Sequence, residues 1–311
     1  MRVFQDFTEL HTIPNPVITI GTFDGVHLGH QKIIDTLLDE AEQINGESVL
    51  FTFYPHPRMV LYPDSHGLKL IQTQVEKIDK LRRMGLQNVI VFPFTKEFSR
   101  LSATEFVRDI LVNQLHVKKL VIGYDHQFGK NREGSIEFLQ EVSETYGFEV
   151  KEISAKVVNE ANVSSTKVRK AISEGNMKEA MKYLGEPFEI HGKVIRGESV
   201  GKEIGFPTAN IDIESDVKLT PKEGVYAVNV LVSDWGIFEG MLNIGRKPTV
   251  SNSSDLSVEV HLFDFDRDIY DEFVTVQFLT RIRDEQRFES LEDLTNQLNA
   301  DESTIRNYFT R

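Results

Sequence analysis

The sequence predicts an α/β domain with a doubly wound parallel sheet, followed by a small all-β antiparallel barrel with a C-terminal helix. Its 311 residues exceed what one hydrophobic core usually serves. Up to about residue 153, short apolar runs alternate with helical patterns, which is typical of a parallel sheet with helices on both faces. After residue 187 the apolar positions alternate with polar ones, which is typical of a small barrel or sandwich. We therefore expect domains at 1–185 and 186–311.

The predicted strands of the first domain are short apolar runs of the kind that is buried on both faces of a sheet. They lie at 17–20, 48–53, 88–92, 119–123 and 148–153. Apolar residues from Ile33 to Ile44 recur at helical spacing and predict the first helix. Further helices are expected at 73–84, 102–115 and 135–146.

The second domain is predicted to consist of strands separated by Gly-, Asp- and Ser-rich turns. The strand-like segments are FEIHGKVI, GVYAVNVLV, GIFEGMLNI, SVEVHLFDF and EFVTVQFL. A short helical linker is expected at 166–184, ending at Gly185 and Pro187. Ser290 and Asp293 form a capping-box pattern that predicts the start of the terminal helix.

Composition excludes several classes of protein. The absence of cysteine rules out disulfides and thiolate metal sites, and it agrees with a cytoplasmic protein. A formal net charge of −13 argues against broad nucleic-acid binding, which depends on many Lys and Arg contacts to phosphates. We find no apolar run long enough to span a bilayer and no leader segment. The sequence therefore predicts neither a nucleic-acid partner nor a membrane partner, and it leaves the oligomeric state open.

Two histidines lie where the first predicted strand leads into the first helix, within GTFDGVHLGHQ at 21–31. Ligands bind at the carboxyl ends of strands in a doubly wound sheet, and a helix N-terminus there attracts phosphate. His27 and His30 are one helical turn apart, so we expect both, as imidazolium donors, to contact one phosphate chain and to stabilise departing pyrophosphate. A helix cap with one buried histidine remains an alternative. An H-x-x-H zinc pair is less favoured, because no third ligand is apparent nearby.

This segment resembles the H-x-G-H motif of the nucleotidyltransferase superfamily, in the form found in bacterial FAD synthetases. VSSTKVR at 163–169 resembles the second motif of that family, S-S-T-x-[IV]-R. Taken alone, S-S-T is an ordinary helix cap. The resemblance implies that the following residues bind nucleotide: Gly21, Phe23, Asp24, Ser165, Thr166 and Arg169.

Two segments between these motifs resemble the flavin-binding parts of the same family, FYPHPRMVL at 53–61 and GYDHQFGKNREG at 123–134. The resemblance implies that a loop stiffened by proline lies near FMN, with Asp125 near FMN or the metal. Phe128 or Tyr54 could stack on a flavin or adenine ring, although without the resemblance both read as core residues. The loop residues concerned are Pro55, His56 and Pro57.

GFPTANI at 205–211 resembles the G-x-P-T-A-N motif of riboflavin kinases. Thr208 and Asn210 lie on one face of an extended segment, because side chains alternate along a strand. Their hydroxyl and amide oxygens suit Mg²⁺ that is already held by ATP phosphates. In isolation the heptapeptide reads as a turn before a strand. The resemblance adds further binding residues, namely Gly201, Lys202, Gly205, Phe206 and Pro207.

The segment at 258–278 resembles the later strand pair of riboflavin kinases. The family has its catalytic base at the glutamate of this strand, which implies that Glu259 accepts the proton of the riboflavin 5′-hydroxyl. On its own, Glu259 reads as a solvated strand residue. RIRDEQRF at 281–288 also resembles the family and implies that Arg283 contacts flavin.

The resemblance extends over approximately residues 15 to 309 and implies a bifunctional transferase of the bacterial FAD synthetase family. Such an enzyme phosphorylates riboflavin with Mg²⁺ and ATP to give FMN, and then adenylylates FMN to FAD with release of pyrophosphate. Its partners would be the small molecules riboflavin, FMN and ATP. Two alternatives remain: a flavin-sensing regulatory protein without turnover, and an H-x-G-H enzyme that acts on tRNA.

Overall fold

The chain forms two compact units, Met1–Ser165 and Thr166–Arg311. Asp125 and Lys202, two of the predicted binding residues, lie outside the residues that the structure describes. The predicted domain boundary at residue 185 stays a prediction. The computed structural model describes residues 1–8, 13–63, 67–124, 126–154, 162–197, 201, 204–213, 215–233, 235–246 and 256–310.

The first unit contains a six-stranded parallel sheet with the strand order β1-β4-β3-β2-β5-β6. The strand order reverses between the central strands β2 and β5, so the topological switch point lies at the carboxyl ends of these two strands. The short β1 was not predicted, because three residues are too few to show a periodicity. The strands are β1 Arg2–Phe4, β2 Val17–Ile20, β3 Ser48–Tyr54, β4 Asn88–Pro93, β5 Lys119–Gly123 and β6 Glu149–Ile153.

Helices cover both faces of this sheet, as predicted. Val49, Leu50 and Phe51 are fully buried, and they belong alternately to the two apolar clusters on either side. The prediction of burial on both faces is wrong for β6, an edge strand in which only Ile153 is buried. The helices are α1 Leu28–Gln43, α2 Pro57–Leu61, α3 Gln74–Arg83, α4 Ala103–Glu105 with a π-helical continuation Phe106–Gln114, and α5 Ile136–Tyr146, with single 3₁₀ turns at Phe98–Arg100 and Lys130–Arg132.

The six strands of the second unit close into an antiparallel barrel with the order β10-β11-β8-β7-β12-β9. Tyr226, Val228 and Val230 of β9 are fully buried and fill its interior. Gly185 ends the preceding helix in the left-handed conformation that the linker prediction implied. The strands are β7 Phe188–Ile195, β8 Ala209–Asp212, β9 Gly224–Val232, β10 Gly236–Arg246, β11 Leu256–Leu262 and β12 Phe273–Arg283, and the helices are α6 Ser165–Ser173, α7 Met177–Leu184 and α8 Leu291–Phe309.

The terminal helix α8 begins where the sequence predicted. The Ser290 hydroxyl accepts a hydrogen bond from the Asp293 N–H at 3.1 Å and so caps the helix. Ile305 of α8 is fully buried in an apolar cluster with Val225, Met241 and Phe263, which point outward from the barrel. The helix therefore covers part of the outer barrel surface. No helix in the described part of the chain is both long and apolar enough to cross a bilayer.

Two candidate active sites

The two histidines lie at the switch point of the parallel sheet. β2 leads through residues 21–27 into α1, and His27 is the residue that caps this helix. Its Nδ1 accepts a hydrogen bond from the His30 N–H at 3.3 Å, and the two rings stack with centroids 3.7 Å apart. A Cβ on Gly29 would lie 3.3 Å from the His27 ring, so a larger residue there would crowd the pair. The structure therefore brings both imidazoles together on one side, as the spacing predicted.

The histidine pair is largely shielded from solvent. His27 is 6% exposed, and Phe23 stacks on His30 with a centroid distance of 4.5 Å. Burial holds the pKa of His30 well below its ordinary value of 6.5, and the neighbouring His27, Lys77 and Lys80 lower it further. The His30 Nδ1 is buried and has no partner among the described residues. His30 is therefore neutral at pH 7 in the unliganded protein, and the predicted imidazolium needs the charge of bound phosphate.

Ser165 links the second predicted motif to the loop between β2 and α1. Its hydroxyl donates to the carbonyl oxygen of Asp24 at 3.0 Å. The buried Asp24 carboxylate accepts hydrogen bonds from the N–H groups of Ile71 and Gln72, at 3.0 and 3.3 Å. Asp24 thus holds residues 71–72 against the loop. Thr166 and Arg169 belong to the second unit.

The predicted flavin loop has a regular local structure. His56 caps α2 by accepting a hydrogen bond from the Arg58 N–H at 3.2 Å, and Pro57 occupies the first turn of that helix. The short helix therefore replaces part of the proline-stiffened loop that the sequence suggested. Of the two predicted stacking aromatics, Tyr54 is 47% exposed, whereas Phe128 is buried in the core.

A narrow pocket opens beside this loop, with about 270 Å³ of empty space when the solvent at its mouth is counted. Its buried Lys77 donates hydrogen bonds to the carbonyl oxygen of Thr22 and to the hydroxyl of Thr52, both at 3.1 Å. Sequence reasoning missed Lys77. The available signal was its spacing four residues before the buried Leu81, which puts both on the inner face of α3. The pocket is lined by Thr22, Asp24, Phe53, Tyr54, His56, Leu70, Gln72, Gln74 and Lys77.

The second unit contains an open pocket of about 880 Å³, counted with the solvent at its mouth. Glu259 of β11 lies directly opposite Asn210 of β8 and Asn243 of β10, so the three side chains share one barrel face. Glu259 is half-buried and lines the pocket with Thr208. The Ser257 hydroxyl donates to Glu259 Oε1 at 2.8 Å. Glu259 is therefore an oriented pocket carboxylate and not a solvated strand residue.

The segment before β8 is held in place by close backbone contacts. His261 Nδ1 lies 2.8 Å from the carbonyl oxygen of Pro207, and the His261 ring meets Phe206 edge-on at 5.4 Å. Gly201 lies so close to the carbonyl oxygen of Phe206 that a side chain would clash there. Gly205 has a φ of +86°, which favours glycine. These contacts position Thr208 at the pocket.

Arg283 lines the same pocket and is fixed by the terminal helix. Its Nε and terminal nitrogen lie 2.9 and 2.8 Å from Asp301 Oδ2, and the Asp301 side chain is only 3% exposed. Gln297 donates a further hydrogen bond to Asp301 at 2.8 Å. Sequence reasoning found Arg283 by resemblance but missed Asp301, because an acidic residue on a polar helix gives no sign that it is buried.

Two family models divide the chain between them. The FAD synthetase model matches residues 10–167, and the riboflavin kinase model matches residues 184–309. The chain belongs to the bifunctional riboflavin kinase/FMN adenylyltransferase family. It is accordingly an enzyme with both transferase domains, which phosphorylates riboflavin to FMN and adenylylates FMN to FAD with ATP.

Curated members of this family match nearly the whole chain. The Haemophilus influenzae enzyme is 38% identical over 94% of both chains. The Escherichia coli K12 enzyme is 38% identical and covers 99% of this chain and 98% of its own. The Listeria monocytogenes enzyme is also 38% identical, over 98% and 96%. Each is named as a bifunctional riboflavin kinase/FMN adenylyltransferase.

A solved structure also shares the two-unit architecture of this family member. It is titled a macrolide-efflux protein from Streptococcus pneumoniae, and it aligns over 99% of both chains with a TM-score of 0.86 at 32% identity. The fold is therefore shared by a protein whose title names a different activity.

Proposed function

We propose that the second unit phosphorylates riboflavin and that the first unit adenylylates the FMN so formed. One observation supports this division above all. Glu259 and Thr208 line a single pocket of the barrel, whereas His27 and His30 stack at the switch point of the parallel sheet. Each set belongs to the part of the chain that matches the corresponding family model.

In the kinase step, Glu259 is the proposed base. Its carboxylate takes the proton of the riboflavin 5′-hydroxyl as that oxygen bonds to the γ-phosphorus of ATP and the bond to ADP breaks. The Ser257 hydroxyl orients the carboxylate from 2.8 Å. Arg283, held by Asp301, is the proposed flavin contact.

Mg²⁺ is the proposed metal of this step, and the residues present fit it. Thr208 is half-buried at the pocket, and Asn210 is buried directly opposite Glu259. The hydroxyl and amide oxygens are hard, neutral donors, which suit a metal that also binds ATP phosphates. When bound, the ion neutralises charge on the phosphoryl oxygens. The described residues contain no group of three or more His, Asp or Glu side chains arranged to hold a metal by themselves.

In the adenylyl step, a phosphate oxygen of FMN attacks the α-phosphorus of ATP, and pyrophosphate leaves. His27 and His30 are proposed to contact the phosphates and to offset the charge on the leaving group. Ser165 is proposed to bind phosphate with Thr166 and Arg169, and Gly21 and Phe23 to line the nucleotide site. Positioning and charge neutralisation suffice for both transfers, so no covalent enzyme intermediate is needed.

The proposal also includes the other predicted binding residues, the small-molecule substrates and the location in the cell. Asp125, Lys202, Gly201, Gly205 and Pro207 keep their proposed binding roles. Action on small molecules alone agrees with the net charge of −13, which disfavours nucleic acid. A cytoplasmic location completes the proposal.

The test is a time course with purified protein, riboflavin, ATP and Mg²⁺, in which the flavins are separated chromatographically. FMN should appear first and FAD should follow, and both should depend on Mg²⁺. The proposal fails if flavin binds stoichiometrically without ATP consumption, which is the behaviour of a flavin sensor. It also fails if FMN supplied directly with ATP gives no FAD. No observation on the described residues favours the sensor.

A further inference from the structure

Lys77 is a buried cation that forms no ion pair with the described carboxylates. Its side chain is 6% exposed, and the two groups that accept hydrogen bonds from it, the Thr22 carbonyl and the Thr52 hydroxyl, are neutral. Asp24 attracts it only from a longer distance. A buried charge without a close partner is costly to a fold. Burial of the Lys77 charge therefore lowers the free energy of unfolding of the unliganded protein.

The Thr22 carbonyl does not depend on Lys77 for a partner. The Thr52 hydroxyl also donates to it, at 3.3 Å. If the ammonium were removed, Thr22 and Thr52 would still be paired with each other. The fold therefore gains little from the two hydrogen bonds of Lys77, and an anion that approaches the ammonium would gain much more.

Two more polar groups in the same pocket lack partners. Gln72 Oε1 and Gln74 Nε2 are buried and make no hydrogen bond with any described residue, and both side chains line the pocket with Lys77. Buried polar atoms without partners are rare in native proteins and indicate a missing ligand or water. A cation, an amide donor and an amide acceptor therefore converge on one pocket beside Tyr54 and His56.

The enclosed part of the pocket has room for about one water molecule, and the donors around its mouth suit the oxygens of a phosphate monoester. Lys77 and the Gln74 amide can donate to phosphate oxygens, and the Gln72 oxygen can accept from an N–H or O–H group. His27 and His30, the proposed contacts of the ATP phosphates, do not line this pocket. Lys77 nevertheless lies near enough to lower the pKa of His30 by its charge. The pocket thus excludes both histidines but shares Asp24 with the predicted nucleotide-binding residues, so it adjoins the proposed ATP contacts.

We propose that Lys77, with Gln74, binds the 5′-phosphate of FMN and makes adenylylation selective for FMN over riboflavin. The inference rests on the proposed assignment of FMN adenylylation to the first unit. Lys77 transfers no proton in this role. It holds the phosphate whose oxygen attacks ATP, and riboflavin, which lacks that phosphate, leaves the ammonium unpaired.

The inference has a pH signature. Burial lowers the pKa of Lys77 to about 8, against a smaller opposing effect of Asp24. Only the protonated ammonium attracts phosphate, so kcat/KM for FMN should fall as the pH rises through about 8. Among the described residues, the other charged or titratable groups around it are Asp24 and His27 before α1, His30 on α1, Tyr54 at the end of β3, His56 before α2, and Glu76 and Lys80 on α3.

The experiment measures FMN adenylylation by the full chain, with FMN and ATP varied separately. Lys77→Met should raise the KM for FMN roughly tenfold to a hundredfold, the effect of one charge-assisted hydrogen bond. The KM for ATP and the riboflavin kinase rate should stay unchanged, and the fall of kcat/KM near pH 8 should disappear. Lys77→Arg, which keeps the charge, should recover part of the FMN affinity. Lys118→Met is the control for loss of one positive charge, because Lys118 is an exposed residue of the same unit that does not line the pocket.

Thermal unfolding separates this role from a structural one. Lys77→Met removes an unpaired buried charge, so the Tm of the unliganded protein should stay the same or rise. A lowered Tm with a parallel loss of all kinetic constants would overturn the inference. So would an unchanged KM for FMN, or a rise in the KM for ATP instead. If His30→Ala also leaves adenylylation intact, the proposed site itself has failed, whereas loss in His30→Ala alone refutes only the role of Lys77.

Discussion

The two candidate sites differ in the surroundings of their charged groups. In the first unit Lys77 is buried and His30 is half-buried, and both have lowered pKa values because water has been removed around them. In the second unit Glu259 and Thr208 are half-buried at an open pocket, and the half-buried Arg283 already has the buried Asp301 as its partner. The adenylyl site is therefore prepared for anions before they bind, whereas the kinase site presents an oriented base and neutral oxygens. We expect His30 and Lys77 to make adenylylation depend on pH.

Glu259→Gln should have the largest effect, and the effect should be confined to the kinase step. Loss of the base should slow FMN formation by about 10²- to 10⁴-fold, while FMN supplied directly is still converted to FAD. Separate assays from riboflavin and from FMN measure the two steps. Glu239→Gln, at an exposed position of the same barrel, should change neither. Equal loss of both activities in a folded variant would contradict two independent sites.

His30→Ala should give the reverse pattern. We expect FAD formation to fall by about 10²- to 10³-fold, because a group that stabilises developing phosphate charge has been removed, and FMN should accumulate. Chromatography of the flavins formed from riboflavin reports both quantities at once. His116→Asn, an exposed histidine of the same unit, serves as the control. Unimpaired FAD formation in His30→Ala would remove the histidine pair from the mechanism.

Asp301→Asn should lower the stability of the second unit. It leaves the Arg283 charge without its buried partner, which should cost about 3 kcal/mol of unfolding free energy and raise the KM for riboflavin. Chemical denaturation and the kinase assay measure the two effects. The double variant Asp301→Leu/Arg283→Met should regain stability without regaining flavin affinity. If it regained both, Arg283 would not contact flavin.

The smallest expected effect is the pH dependence of the first unit. The pKa of His30 is below 6.5 in the folded protein, so the unfolded chain binds more protons as the pH falls below 6.5. Unfolding free energy should therefore fall in acid by at most about 1.4 kcal/mol per pH unit for this residue. Calorimetric scans between pH 7 and 5 should show the fall in the first unit, and His30→Gln should flatten it. An unchanged slope in that variant would assign the acid sensitivity to another group.

Much of the fold could be predicted from local pattern. The short apolar runs of the first domain form strands within a few residues of the predicted bounds, and Gly185 ends its helix as expected. Strand periodicity alone does not distinguish the predicted barrel from a sandwich, because closure depends on pairing between β9 and β12 and between β8 and β11, which lie far apart in the chain. It also missed the short β1 and α2.

The candidate sites divide in the same way. Local spacing was enough to identify the residue types that could do chemistry, because helical spacing and strand alternation are properties of short segments. The residues found in this way are His27, His30, Thr208, Asn210 and Glu259. Which charges are buried depends on the assembled fold. Lys77 reaches the Thr22 carbonyl across 55 residues, and Arg283 reaches Asp301 across 18. Desolvation depends on what packs around a group, and that is a property of the assembled core that no single segment contains.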